Sequence, residues 1–326
     1  MNVPKLKRRL WEEIALNLET KTHPASGRKP LSFGQTWQLH AMLVPGIVLA
    51  LVFLYFPMGG LVIAFQDFKP WLGFIHSPWV GLNNFRLMFA REDSLEVIRN
   101  TFVIAGLKIV FGLLVPFVFS LLLNELRHMF VKRLVQTLVY LPHFMSWVIL
   151  GGILINLLGN NGPVNQLLGS WFGIESIPFL MQGDWFRFTV VVSDIWKEFG
   201  FGTILFLAAL TAVNPALYEA AEMDGAGRWK QTLNVTIPAI TPIVIVLGTL
   251  SLGNILNAGF DQIFNLYNAL VYDKGDIIDT FAYRAGLLKT QFSFATAVGM
   301  FKSVVSFFLI VTAYRMAFKF ANYRIF

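Results

Sequence analysis

Residues 214–238 read NPALYEAAEMDGAGRWKQTLNVTIP, a long polar interruption between two apolar runs. Asn214 before Pro215 predicts a helix opening, because an asparagine side chain caps free N–H groups and proline at the first helical position forfeits no hydrogen bond. The helix is expected to pass through Leu217, Tyr218, Ala220 and Ala221 and to stop near Met223. Gly225 then supplies a residue free to take positive φ. A second short helix is expected to lead to Pro238.

Outward from this stretch, composition places both flanks in a bilayer. The 326 residues are 56% hydrophobic and include 32 phenylalanines, with a mean hydropathy of +0.60, too apolar for a soluble domain of this length. Cysteine is absent, which excludes disulfides, thiolate metal sites and a cysteine nucleophile. The net charge of +7 does not point to nucleic acid, because Lys5, Lys7, Arg8, Arg9, Lys21, Arg28 and Lys29 all precede the first apolar run. That placement is a membrane-orientation signal.

Glu219-Ala220-Ala221, three residues, Gly225, nine residues, then Val235-x-Ile237-Pro238 form a spaced pattern. It resembles the EAA loop of binding-protein-dependent ABC importers, and a pattern spread this far seldom arises by accident; the alternative is a plain amphipathic connector. In that family the loop is a cytoplasmic coupling helix seated in a groove of a separate ATPase subunit. The resemblance therefore implies that Glu219, Ala220, Ala221, Asp224, Gly225 and Pro238 couple this chain to an ATPase.

Residues 1–38 are expected to be a cytoplasmic segment and not a cleavable signal, since Glu12, Glu13 and Glu19 follow the basic residues and no apolar core begins until about Ala41. Leu6, Leu10, Ile14 and Leu18 make a helical stripe suited to the inner membrane surface, a solvated or partner-bound helix being the alternative. Residues 39–326 are expected to form one all-α membrane domain. Its six spans fall over 41–65, 98–123, 134–158, 185–213, 239–264 and 292–314, with the EAA loop at 214–238. Each is long enough, since about 20 helical residues cross ~30 Å of hydrocarbon. Basic residues crowd the N-terminal segment, the 126–133 connection, the EAA loop and the C-terminus, which makes those four faces and both termini cytoplasmic.

Charges inside spans cost roughly 3 kcal/mol each on insertion scales and so face the protein interior or a watery cavity. Here they are Lys108, Asp194, Lys197, Glu198 and Lys302, with Asp261 near the end of the fifth span. Asp194, Lys197 and Glu198 share one helical face, and Ser251, Asn254, Ala258 and Asp261 make a polar stripe with Asn257 beside it. A polar substrate path through these groups is the joint reading, with Trp196, Phe201 and Phe260 available to sugar-ring faces. The competing reading has each lysine pair with an acid only to neutralise buried charge.

LLLNELR at 121–127, LVYLPHFMSW at 138–147, FLAALTAVNPALYEAA at 206–221, GFDQIF at 259–264 and DTFAYRAG at 279–286 extend the likeness over most of the chain. They resemble the polysaccharide-type branch of maltose-permease-like carbohydrate permeases, which implies six helices of the type I importer kind in a bacterial inner membrane. It implies as partners a second permease, two ATPase subunits that hold ATP and Mg, an extracytoplasmic binding protein and a saccharide. No GxxxxGK[ST] phosphate loop occurs in this chain, so no cofactor or enzymatic role is expected of it. An acidic substrate such as alginate would want cationic lining; Lys108, Lys197 and Lys302 supply it, and Asp194, Glu198 and Asp261 cancel it. The rival class is an ion-coupled secondary transporter using Asp194, Glu198 and Asp261. A membrane enzyme built on His143 lacks any nucleophile–base or metal spacing, and His143 beside Pro142 is expected to be a helix-packing residue.

Overall fold

A computed structural model describes residues 33–253 and 255–321. The surface helix expected near the N-terminus therefore lies outside the described residues, as does Asn254. The chain divides into two units after Gly60.

In the first unit, α1 (Phe33–Ala50) carries Pro45 and runs into a wider π turn at Leu51–Tyr55. The cause is Pro57, which has no N–H to return to the preceding turn; the Phe56 N–H reaches back five residues to Leu51 O. The apolar run His40–Phe65 is long enough to cross a membrane, and its kinks fall where the prolines and the Gly59-Gly60 pair were read.

The second unit is helical throughout its regular structure. It contains α2 (Asn83–Ala90), α3 (Glu92–Asn124), α4 (Met129–Tyr140), α5 (Trp147–Leu158), α6 (Pro163–Phe172), α7 (Gly183–Thr211), α8 (Pro215–Met223), α9 (Ile237–Gly253), α10 (Phe260–Leu266), α11 (Ile278–Tyr283) and α12 (Phe292–Ala321). Among the described residues, five runs are long and apolar enough to span: His40–Phe65, Glu92–Asn124, Trp147–Phe172, Arg228–Gly253 and Phe292–Met316. A sixth is reached by α7 taken with α8, which bend from one another by 68°. The charges at Asp184, Arg187, Asp194, Lys197 and Glu198 make α7 the least apolar of the long helices.

Two expected spans are interrupted. The third, read over 134–158, stops at Tyr140, makes a 3-10 turn at Leu141–Phe144 around Pro142, and restarts at Trp147 with Ser146 Oγ accepting the Ile149 N–H. The apolar run that meets the length of a span there is Trp147–Phe172, which continues through a turn at Gly159. The fifth, read over 239–264, ends at Gly253, and a non-helical segment precedes α10. Gly259 sits in that segment at φ +97°, a conformation that only glycine adopts cheaply.

Within a bilayer, helices associate by close packing and small residues more than by hydrophobic transfer. Gly200 of α7 lies so near α4 that a Cβ there would meet Val139 O at 2.0 Å, and one at Gly202 would meet Pro116 of α3 at 3.0 Å. The largest core cluster joins Ile104 and Ala105 of α3, Phe186 and Val190 of α7, and Ile263 and Leu266 of α10.

Contacts between chain-distant ends sort the loops onto two sides. Glu125, just past α3, takes a 2.5 Å ion pair from Arg228, just past α8. At the other end, Phe68 N–H donates to Ser293 Oγ at 2.8 Å, Lys274 pairs with Asp184 at 2.5 Å, and Asn100 Nδ2 donates to Asp273 O at 2.8 Å. The α8 region thus lies on one side, and the loops before α3, α7 and α12 on the other. The loop before α12 is pinned internally by Asp276, which takes hydrogen bonds from Thr280 and Arg284. Burial pushes the Asp276 carboxyl above the usual carboxylate range, and those two donors pull it part of the way back.

Candidate functional site

The α8 elbow forms as its residues require. Asn214 Oδ1 accepts the Ala216 N–H at 3.0 Å, Pro215 opens the helix, and the helix ends at Met223. Gly225 takes φ +74°, so the Gly225 and Ala226 N–H groups can turn back onto Glu222 O and Ala221 O at 2.9 Å each. The second short helix is not separate. Arg228–Gln231 passes through a π turn at Thr232–Thr236 into α9, one helical run to Gly253, because the wider turn accommodates Pro238.

The elbow is tied to the spans by its ends and open on its face. Tyr218 Oη bonds Thr236 Oγ1 at 3.0 Å, and Arg228 holds Glu125. Glu219, Ala220, Asp224, Gly225 and Pro238 are exposed, and Ala221 is half-buried. Met223 is 89% and Trp229 74% exposed. The Glu219 carboxylate has no hydrogen-bond or ion-pair partner among the described residues.

The intramembrane charges resolve into three nodes. Lys108 Nζ, on α3, donates to Asp194 Oδ1 at 3.1 Å, to Ala258 O at 2.7 Å and to Gln262 Oε1 at 2.5 Å. All three ammonium hydrogens are used. The Ala258 carbonyl is one that the broken helix frees, so Lys108 closes the break as well as the charge; Gln262 Nε2 adds bonds to Val190 O and Ser193 Oγ at 2.7 and 2.8 Å. The second node repeats the device at the other break. Lys197 Nζ donates to His143 O at 2.9 Å and Glu198 Oε1 at 2.7 Å, while Glu198 Oε2 lies 2.7 Å from His143 Nδ1. The third node joins Lys302 of α12 to both Asp279 oxygens, at 2.6 and 2.8 Å, and to Asn257 Oδ1 at 2.9 Å.

These nodes refine several expectations. Of the two acids open to Lys197 it takes Glu198, while Asp194 serves Lys108. Ser251, Ala258 and Asp261 do not share one helical stripe, because the helix ends at Gly253 and the next begins at Phe260. His143 does pack on a helix, as expected: from the 3-10 turn its ring stacks on Phe201 of α7 with centroids 4.2 Å apart. Asp261 is exposed, and its carboxylate has no partner among the described residues. Gln262 and Asp279 were not singled out: a neutral amide carries no charge signal, and Asp279 belongs by sequence to a loop. A cleft of about 280 Å³ opens beside the first node, lined by Lys108, Gly112, Asp194, Ser251, Asn257 and Gly259.

Five or six apolar runs long enough to span, a bent helical elbow between two of them and a polar cleft at a helix break define a polytopic membrane protein. Residues 102–317 match the family described as binding-protein-dependent transport system inner membrane component, and the chain belongs to that family. It is 45% identical over 285 residues to the polygalacturonan/rhamnogalacturonan transport system permease protein YteP of Bacillus subtilis (strain 168), covering 87% of this chain and 88% of that one. Its structure is similar to a chain in the crystal structure of a bacterial ABC transporter involved in import of the acidic polysaccharide alginate. The TM-score is 0.82 at 40% identity, covering 88% of this chain and 97% of that one. A second crystal structure, the alginate transporter in complex with its alginate pentasaccharide-bound periplasmic protein, gives a TM-score of 0.83 at 38% identity, covering 90% and 98% of the two chains. This chain is accordingly a multi-pass inner-membrane permease subunit of an ABC importer.

Proposed function

We propose that the chain forms half of the path of an ATP-driven importer of acidic oligo- or polysaccharides, with a second, similar permease as the other half. The relatives support the substrate class: one is named for polygalacturonan and rhamnogalacturonan, the others for alginate. Two separate ATPase subunits bind ATP and Mg, and an extracytoplasmic binding protein delivers the sugar. Both termini and the elbow face the cytoplasm, following the excess of basic residues on that side.

One observation carries the coupling role: Glu219 and the small Ala220 stand exposed on the capped elbow, and the Glu219 carboxylate is unspent among the described residues. A partner groove can approach the small residues closely and bind the carboxylate. Closure of the ATPase pair would then tilt α8 and, through the Arg228–Glu125 and Tyr218–Thr236 links, move the spans.

The substrate passes groups that hydrogen-bond hydroxyls more than bare cations, since each intramembrane lysine already faces a carboxylate. The same pairing weakens the secondary-transporter reading at Asp194 and Glu198, while its third carboxylate, Asp261, is unpaired among the described residues. Uptake of galacturonate oligosaccharide by proteoliposomes holding the assembled complex tests this. It is expected to need ATP and to survive collapse of the ion gradient; the reverse result overturns the proposal.

A further inference from the structure

We infer that the chain has a second saccharide-binding site, on the membrane side opposite the elbow, in a cavity of about 330 Å³ between the segment before α2 and the start of α12. The inference rests on the saccharide-import reading but concerns a place the intramembrane path does not use. The volume lies at the small end of ligand pockets, about 300–1,000 Å³, and accommodates a pyranose unit. Its walls are mixed: the rings of Phe68, Phe292 and Phe294 stand beside the polar side chains of Asp67, Asn84 and Gln291.

The polar groups are left over from folding. Asn84 is 7% exposed; its Nδ2 donates to Ala64 O at 2.9 Å and Gln66 O at 3.0 Å, and its Oδ1 takes no hydrogen bond among the described residues. That oxygen lies at the cavity wall and is open to accept a hydrogen bond from outside. Gln291 is exposed, with its side-chain amide likewise unpaired among the described residues. Among the described residues the Asp67 carboxylate makes only a 3.8 Å contact, to Lys69. Planar amides and a carboxylate around aromatic rings suit a sugar, whose hydroxyls both donate and accept and whose C–H face lies against a ring.

The walls are rigid enough to keep that shape. Phe68 packs edge-on against Phe292 with centroids 6.3 Å apart, its N–H fixed on Ser293 Oγ, and Arg91 lies 5.0 Å over the Phe294 ring while pairing with Asp93 at 2.6 Å. Because Arg91 is already paired, the site reads hydroxyls and ring faces, not the uronate charge. At the rim Thr290 holds φ 55°, uncommon for a residue other than glycine.

The test uses the assembled complex in lipid nanodiscs, with binding of a galacturonate tetrasaccharide followed by saturation-transfer NMR. Gln291→Ala and Asp67→Ala each remove one ligand group, and Leu87→Trp, on the exposed side of α2, fills the cavity. Each of the first two is expected to weaken binding about fivefold, the worth of one hydrogen bond, and Leu87→Trp to abolish contact at this site. Affinity for the extracytoplasmic binding protein and basal ATPase rate should stay unchanged. Absence of binding to the wild-type complex, equal binding in all three variants, or a loss of binding-protein affinity that tracks the filled cavity each overturns the inference, the last assigning the cavity to a protein loop. Failure of the import reading shows separately, as absence of ATP-driven uptake by the wild-type complex.

Discussion

Lys108 is 9% exposed and has no donor to spare, so its place in the protein is decided by what it would leave behind. Lys108→Met strands the Asp194 carboxylate and the Ala258 carbonyl together, and breaking a buried pair from one side costs about 3–5 kcal/mol. The double variant Lys108→Met with Asp194→Asn is expected to recover part of that loss in thermal unfolding of the purified protein; equal losses in single and double variants would show that the pair is not coupled. Gly200 is a sharper case. A methyl at that position meets Val139 O at 2.0 Å, and backbone cannot step aside as a side chain does. Gly200→Ala should therefore separate α4 from α7 and lower the melting temperature, while Gly46→Ala, with nothing within 4 Å, should not. The charges in the spans were legible in the sequence because they stand out against apolar neighbours. Their partners were not: Lys108 meets Gln262 and a carbonyl 150 residues away, and helical spacing along one chain segment cannot report a contact between segments.

At the scale of elements, the elbow is the best-read feature, because its signals are local. A capping asparagine, a proline at the first turn and a glycine after the last act within a few residues of themselves, and all three act as expected. Asn214→Ala should cost about 1 kcal/mol of helix stability, and Gly225→Val about 1–2 kcal/mol from its left-handed backbone. Glu219→Ala touches no internal partner. It should leave the melting temperature unchanged while ATPase activity uncouples from transport; a stable variant with full transport would remove Glu219 from the docking role. Spans three and five were read as unbroken because hydropathy averages over a window, and Pro142 or a Gly259 inside a long apolar run barely changes the average. The breaks survive only where neighbouring helices satisfy the freed carbonyls, as Lys197 does at His143 O and Lys108 at Ala258 O.

Across the whole molecule, the ion pair of Glu125 with Arg228 and the contacts of Phe68, Asp184 and Asn100 with the loop before α12 assign every loop between them to one of two faces. The natural absence of cysteine makes this easy to measure. Met223→Cys and Thr290→Cys, introduced singly, should label with an impermeant thiol reagent from opposite sides of intact vesicles; labelling from one side by both would contradict the six-span arrangement. By itself the sequence determined that the chain lives in a bilayer, roughly where it crosses, and how the elbow between two crossings is capped and turned. Each of those follows from local composition or from residues near one another in the chain. Only the tertiary structure decided which carboxylate meets which lysine, that two crossings are broken and held shut from neighbouring helices, and that a mixed cavity lies opposite the elbow. Those outcomes depend on side chains brought together from distant segments, where a hydrogen bond of under 3 Å is decided by packing and not by spacing along the chain.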